Sequence, residues 1–137
     1  MKTITLLVVS FLLTITAVWA NDDEFQLAQE SALSWLSLTD RDHFELSWNN
    51  ASTHFQAAIS ESSWTHSVNA ARSSLGAVNA REAASATFSR VLPGSPAGEY
   101  VVIQFDTVFE NRPAATETVT MMKGEDDVWR VAGYFIK

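Results

Sequence analysis

The chain has 137 residues, with 9 Lys+Arg against 16 Asp+Glu for a formal net charge of −7, and it contains no cysteine. The acidic balance argues against nucleic acid and against anionic membranes as partners. The missing cysteines exclude disulfide staples, a thiol nucleophile and lipoprotein attachment, so stability rests on apolar burial, for which 5 Trp and 8 Phe are available.

Met1-Lys2 gives a small positive start, and Thr3 to Ile15 is an apolar, uncharged run. Val18 and Ala20 are spaced as the small residues that a signal peptidase reads. The pattern predicts a secretory signal peptide over residues 1–20, cut after Ala20, and hence a periplasmic or secreted product. The run is short for a bilayer core, so no membrane span is expected after cleavage. The rest, residues 21–137, suits a single domain with one core.

Asn21-Asp22-Asp23-Glu24 is an acidic lead-in, with Asp23 and Gln26 spaced as a capping box. A helix is predicted over Glu24 to Leu38, with Ala28, Ala32, Trp35 and Leu36 on one apolar stripe. Asp40 reads as the N-cap of a shorter helix over Arg41 to Asn50, with Phe44, Trp48 and Ala51 facing inward. Asn49-Asn50 reads as its end, and Asn50-Ala51-Ser52 also matches a glycosylation acceptor. Ser60 caps a third helix running to Leu75, with Trp64, Val68, Ala71 and Leu75 on its stripe, Arg72 beside it, and Gly76 at the left-handed position past its end.

Residues 77–92 are ambiguous between helix and strand. A strand is expected over Arg81 to Val91, because the meander that follows needs another strand to make a stable sheet. Leu92-Pro93-Gly94-Ser95-Pro96-Ala97-Gly98 is a loop. Three β-rich runs follow, around Tyr100–Phe105, Thr116–Met122 and Val128–Ile136, split at Glu110–Pro113 and Gly124–Asp127. In the first, Val101, Ile103, Phe105 and Phe109 share one face; Tyr100, Gln104 and Asp106 share the other. In the last, Trp129, Val131 and Phe135 are expected on one face, with Arg130, Tyr134 and Ile136 opposite. The fold class is α+β, with N-terminal helices packed on a C-terminal antiparallel meander of about four strands.

Trp35-Leu36, Asp40, Trp48, Phe55, Trp64, Arg72, Leu75-Gly76 and Arg81 carry a resemblance that continues through the Pro93–Val102 loop and strand, Glu117-Thr118-Val119 and Trp129–Tyr134. Together they resemble the bacterial domain-of-unknown-function family 4019. The Pro-Gly-x-Pro-x-Gly-Glu-Tyr loop and the Trp-Arg-Val-x-Gly-Tyr end are its most specific parts. The resemblance implies export and fold kinship but no activity and no functional residue. More loosely, the element order is similar to the cone-like folds of nuclear transport factor and ketosteroid isomerase, or to cystatins, which is a likeness of fold alone.

No Gly-x-Ser-x-Gly elbow, GxGxxG or Walker loop is present. His43, His54 and His66 lie on different predicted elements, too widely spaced for the usual ligand pairs. Asp40 and Asp42 suit a helix start, and Asp126 and Asp127 suit a turn. Arg72, Arg81, Glu117 and Arg130 lie in or near apolar runs; paired, they would anchor helix to sheet, or else hold an anion at the mouth of a cone. Tyr100, Asp106 and Tyr134 would be the acid–base set of an isomerase-like pocket. Trp35, Trp48, Trp64 and Trp129 read as core rather than a stacking box. No catalytic, cofactor-binding or metal-ligating residue is assigned, and no cofactor is expected. The expected function is a non-catalytic, exported binding or envelope-support module whose partner is an unknown small molecule or envelope protein. The alternatives are a pocket enzyme of isomerase or hydratase type, or a cystatin-like inhibitor presenting the Pro93-Gly94 loop. Nothing in the sequence sets an oligomeric state.

Overall fold

The computed structural model describes residues 17–137. The predicted signal peptide therefore falls, over residues 1–16, outside the described residues. Among the described residues four helices precede four strands, α1 (Ala17–Asp40), α2 (Phe44–Asn49), α3 (Thr53–Ala58), α4 (Glu61–Arg72), β1 (Val78–Ser89), β2 (Tyr100–Phe109), β3 (Arg112–Lys123) and β4 (Trp129–Ile136). The strands form one antiparallel sheet in the order β1-β2-β3-β4, as an α+β meander requires.

The face of α1 that turns inward is the one its spacing predicts. Ala28, Ala32, Trp35 and Leu36 are buried, and Thr39 continues the stripe. Full burial of a side chain such as Leu36 contributes about 1.5–3 kcal/mol. The helix outlasts its expected end by two residues, so Asp40 closes α1 and is not the N-cap of the next helix. That cap position belongs to His43, whose side chain makes no capping bond. Asp42 takes a positive φ of 60° in the intervening turn, a conformation Asp tolerates better than most residues.

The second predicted helix is α2 alone, and a further short helix, α3, follows it where the sequence predicts none. α2 ends at Asn49–Asn50 as expected, and Ser52 then caps α3 by accepting the Phe55 N–H at 3.1 Å. Ser60 caps α4 in the same way through the Ser63 N–H at 3.2 Å. On α4 the buried stripe is Trp64, Val68 and Arg72, while Ala71 is exposed. The i, i+4, i+8 line carries an arginine where an apolar residue was expected. Gly76 has φ +75°, and a Cβ there would sit 2.9 Å from Glu110 Cβ, so both conformation and space demand glycine.

β1 is a strand, displaced slightly from the expected range, and it pairs along β2 from Val78↔Phe109 to Ser89↔Tyr100. The inner face of the sheet presents Val101, Ile103, Phe105, Val119, Met121 and Val131 to the helices. A smaller cluster of Leu75, Phe109 and Ala115 closes the far end. In β4 the strict alternation fails. Gly133 pairs with Thr120 and Val131 with Met121, leaving Ala132 as an extra residue. This bulge resets the phase, so Trp129 and Val131 are buried, Tyr134 packs against the same core and Phe135 is 49% exposed. The expected grouping of Phe135 with Trp129 is therefore overturned, and Tyr134 joins the inner face.

Candidate functional site

The space between helices and sheet is filled. Trp35 and Trp64 pack with centroids 5.7 Å apart and planes tilted by 38°, Phe55 meets Trp64 edge-on at 5.0 Å, and Tyr134 meets Trp35 edge-on at 5.3 Å. Among the described side chains, the indole N–H of each of Trp35, Trp48, Trp64 and Trp129 has a partner. Trp35 donates to the Ser47 carbonyl, Trp64 to the Ser47 hydroxyl, Trp48 to the Ile59 carbonyl and Trp129 to Glu24. These satisfied rings form a core, as the sequence suggests, and Trp48 is its half-buried member.

Beside them lies the main concentration of buried charge. Glu117 projects inward from the middle of β3 because its neighbours Thr116 and Thr118 point to the other face. It is fully buried and accepts from Thr107 Oγ1 at 2.6 Å, Arg81 Nε at 2.7 Å and the Tyr134 hydroxyl; Arg72 Nη1 approaches at 3.5 Å. Asp40, at the end of α1, closes the group from the rim. It takes a forked contact from Arg81 at 2.7 and 2.9 Å and a bond from Arg72 Nη2 at 2.5 Å. Arg72 also lies over the Phe109 ring, 5.2 Å from its centroid. Two guanidinium groups thus face two carboxyl groups, tying α1 and α4 to β1, β3 and β4.

The electrostatics follow from this packing. Burial alone would raise the Asp40 carboxyl, but hydrogen bonds from Arg81 and Arg72 hold it below its ordinary value. Burial acts to lower Arg81, yet its bonds to Asp40 and Glu117 leave it above the usual arginine range. Burial, with Glu117 alongside, pushes the Tyr134 phenol well up. A phenol held protonated and donating into a carboxyl is suited to structure and poorly suited to proton transfer near neutrality.

Of the residues singled out from sequence, Arg72, Arg81 and Glu117 come together as a helix-to-sheet anchor. Arg130 does not. It is partly exposed on the outer face and forks onto Asp126, whose carboxyl is lowered to about 2 chiefly by that arginine. The acid–base set is dispersed. Asp106 is exposed on the outer face, the Tyr100 hydroxyl donates to the Pro96 carbonyl at 2.5 Å, and Tyr134 belongs to the inner network. His43 precedes α2, while His54 and His66 sit on α3 and α4; among the described residues no group of His, Asp and Glu is arranged to hold a metal ion. Thr39, Thr107 and Tyr134 are network members that the sequence did not disclose. Inward parity on β2 was the available signal for Thr107, and the bulge hid the signal for Tyr134.

Two open grooves border the core. One of about 600 Å³ runs between α1 and β4, past Ser34, Trp35 and Trp129. A wider one runs between the start of α3 and the β3–β4 turn, past Ser52, Gln56, Lys123 and Arg130. Neither opens a chamber inside the helix-on-sheet interior, where the aromatic rings sit.

The model of a family described as a protein of unknown function, DUF4019, matches residues 31–134. The chain belongs to that family. No curated protein matches the chain. The DUF4019 segment contains all of Asp40, Arg72, Arg81, Glu117 and Tyr134, together with the Trp35–Trp64 pair, so the charged anchor and the aromatic core are parts of the family domain itself. No described helix is long and apolar enough to cross a membrane.

Proposed function

We propose that this protein is a small exported domain that binds a partner or supports an envelope process without itself performing chemistry. The observation that carries this reading is the filled interior. Where a cone-shaped enzyme keeps its chamber, this chain has Trp35, Phe55, Trp64 and Tyr134 in mutual contact. The ionisable groups buried beside them are engaged with one another. What remains for function is surface, including the two open grooves.

Export is supported by the start of α1. Cleavage after Ala20 would make Asn21-Asp22-Asp23-Glu24 the first turn of a shortened helix, where acidic side chains favour the positive end of the helix dipole. The test is cell fractionation with mass spectrometry of the amino terminus, followed by a pull-down from envelope extract. A product beginning at Asn21 in the periplasm or medium, with a specific partner or ligand retained, is the expected result. Mature protein confined to the cytosol would overturn export. A measured turnover, with nothing retained from the envelope, would overturn the non-catalytic reading.

A further inference from the structure

The sheet has two edges, β1 and β4, and they are finished differently. On β4 the Val131 carbonyl accepts the Ser52 N–H at 2.9 Å, so the start of α3 covers part of that edge. Among the described residues no backbone group pairs with the outer edge of β1. Nine of its twelve residues are exposed, which leaves that edge accessible over most of its length.

A free edge is normally protected by charge, proline or bulges that refuse another strand. Within β1 these devices are confined to the first half; the next charge, Arg90, falls just past the strand's end, lies over the Phe88 ring at 5.4 Å and faces Glu99 at 3.7 Å. The register shifts fall at Asn79 and Ala84. Arg81 is engaged by Asp40 and Glu117, and Glu82 is the other charge. From Ala83 to Ser89 the strand reads Ala-Ala-Ser-Ala-Thr-Phe-Ser, with neither charge nor proline. From Ser85 to Ser89 it is also regular against β2. Although each copy has a net charge of −7, such a run places no like-charge contact along the seam itself.

We propose that β1 pairs antiparallel with β1 of a second copy about a two-fold axis at Thr87, joining the two sheets into one. Side-chain size favours this register. Ala86 of each copy then lies opposite Phe88 of the other on the inner face, and Ser85 lies opposite Ser89 on the outer face. Phe88, at 38% exposed, is an aromatic side chain that the helices leave partly uncovered, and the facing alanine gives its ring room. The same symmetry brings Val91, at 77% exposed, beside Ala83 of the second copy. Centring the axis on Ala86 would instead set Phe88 against the bulged Ala84. The chain's own sequence supplies both the aromatic ring and the small residue that faces it, twice over about the axis, and this favours a second copy over a foreign strand.

The inference stands independently of the function proposed above. Light scattering on the purified protein should give a mass rising towards twice the monomer at about 100 μM, where an interface at the small end of the usual range is populated. Thr87→Lys, which sets like charges on the axis, should return the mass to the monomer with an unchanged circular dichroism spectrum. Because the chain has no thiol of its own, Thr87→Cys should give a disulfide-linked dimer under mild oxidation, since residues facing each other across an antiparallel pair lie within disulfide reach. Thr120→Cys, in the middle of the sheet, should not. A monomer at every concentration, as a site for a foreign strand would give, overturns the proposal. So does a dimer that survives Thr87→Lys, or equal cross-linking at the two cysteine positions.

Discussion

Replacing Glu117 with leucine addresses the charged anchor directly. The substitution removes a fully buried carboxyl and leaves Arg72 and Arg81, with side chains 6% and 9% exposed, sharing Asp40 alone. The site passes from two cations facing two carboxyls to one unbalanced positive charge. It also strands the hydroxyls of Thr107 and Tyr134, which donate to Glu117. Breaking a buried pair in this way costs about 3–5 kcal/mol, most of it the penalty of the charge left behind. A domain of ordinary stability has about 5–15 kcal/mol to lose. At about 4 °C per kcal/mol, the midpoint should fall by about 12–20 °C.

The assay is urea and thermal unfolding followed by circular dichroism, with Arg81→Met as the opposite imbalance. The double variant Arg81→Met/Glu117→Leu restores neutrality and keeps the Arg72–Asp40 pair. Its destabilisation should fall short of the sum of the two single effects by about 0.5–3 kcal/mol. A Glu117→Leu protein within about 1 kcal/mol of the parent, or single effects that simply add, would refute the account of a coupled, charge-balanced anchor.

The same network sets the pH limits of stability. The Asp40 carboxyl is lowered in the folded state, so its contribution is present above about pH 4 and is lost as pH falls through the folded-state value; urea midpoints should drop there, and less so in Asp40→Asn. The Tyr134 phenol is raised, so its contribution is complete below about pH 10 and is lost as pH climbs further; Tyr134→Phe should flatten that alkaline decline. Ser47→Ala removes the oxygen that accepts from the Trp64 indole and should cost about 1–3 kcal/mol, read by tryptophan fluorescence during unfolding. Gly76→Ala should cost at least the roughly 1–2 kcal/mol of a left-handed backbone, whereas Gly98→Ala, where a Cβ would meet only ordinary contacts at 3.6 Å, should be nearly silent in the same melt.

Much of this architecture was legible because burial and periodicity agree. Ala28, Ala32, Trp35 and Leu36 announce the inner side of α1, and Val101, Ile103, Phe105 and Phe109 announce that of β2. The Ser60 cap was readable because a hydroxyl directly ahead of a helical pattern has few other roles. Asp40 misled for a related reason. An aspartate ahead of a short helix is the ordinary N-cap signal, and only the tertiary fold shows that two arginines, 32 and 41 residues away, claim its oxygens. Ala71 and Arg72 exchanged places on α4 because apolar periodicity has no means of expecting a cation on the buried stripe. The ambiguity of β1 has the same root, since a strand exposed over most of its length leaves little pattern to read.

The bulge at Ala132 links these separate observations. Strict alternation along β4 would put Trp129 and Val131 on one face and Tyr134 on the other. The core needs both. Trp129 and Val131 complete the apolar floor beneath α1, while Tyr134 supplies an edge for Trp35 and a donor for Glu117. One extra residue satisfies both demands, and it does so opposite Thr120–Met121, with Thr120 three residues beyond Glu117 on β3. The aromatic cluster and the ion network are therefore not independent features that happen to adjoin. They share Tyr134, and through it the phase of the last strand. A chain built this way has committed its aromatic rings and its buried charges to holding helices on the sheet. Under the binding role proposed above, recognition would fall to the grooves, the loops and the uncharged second half of β1.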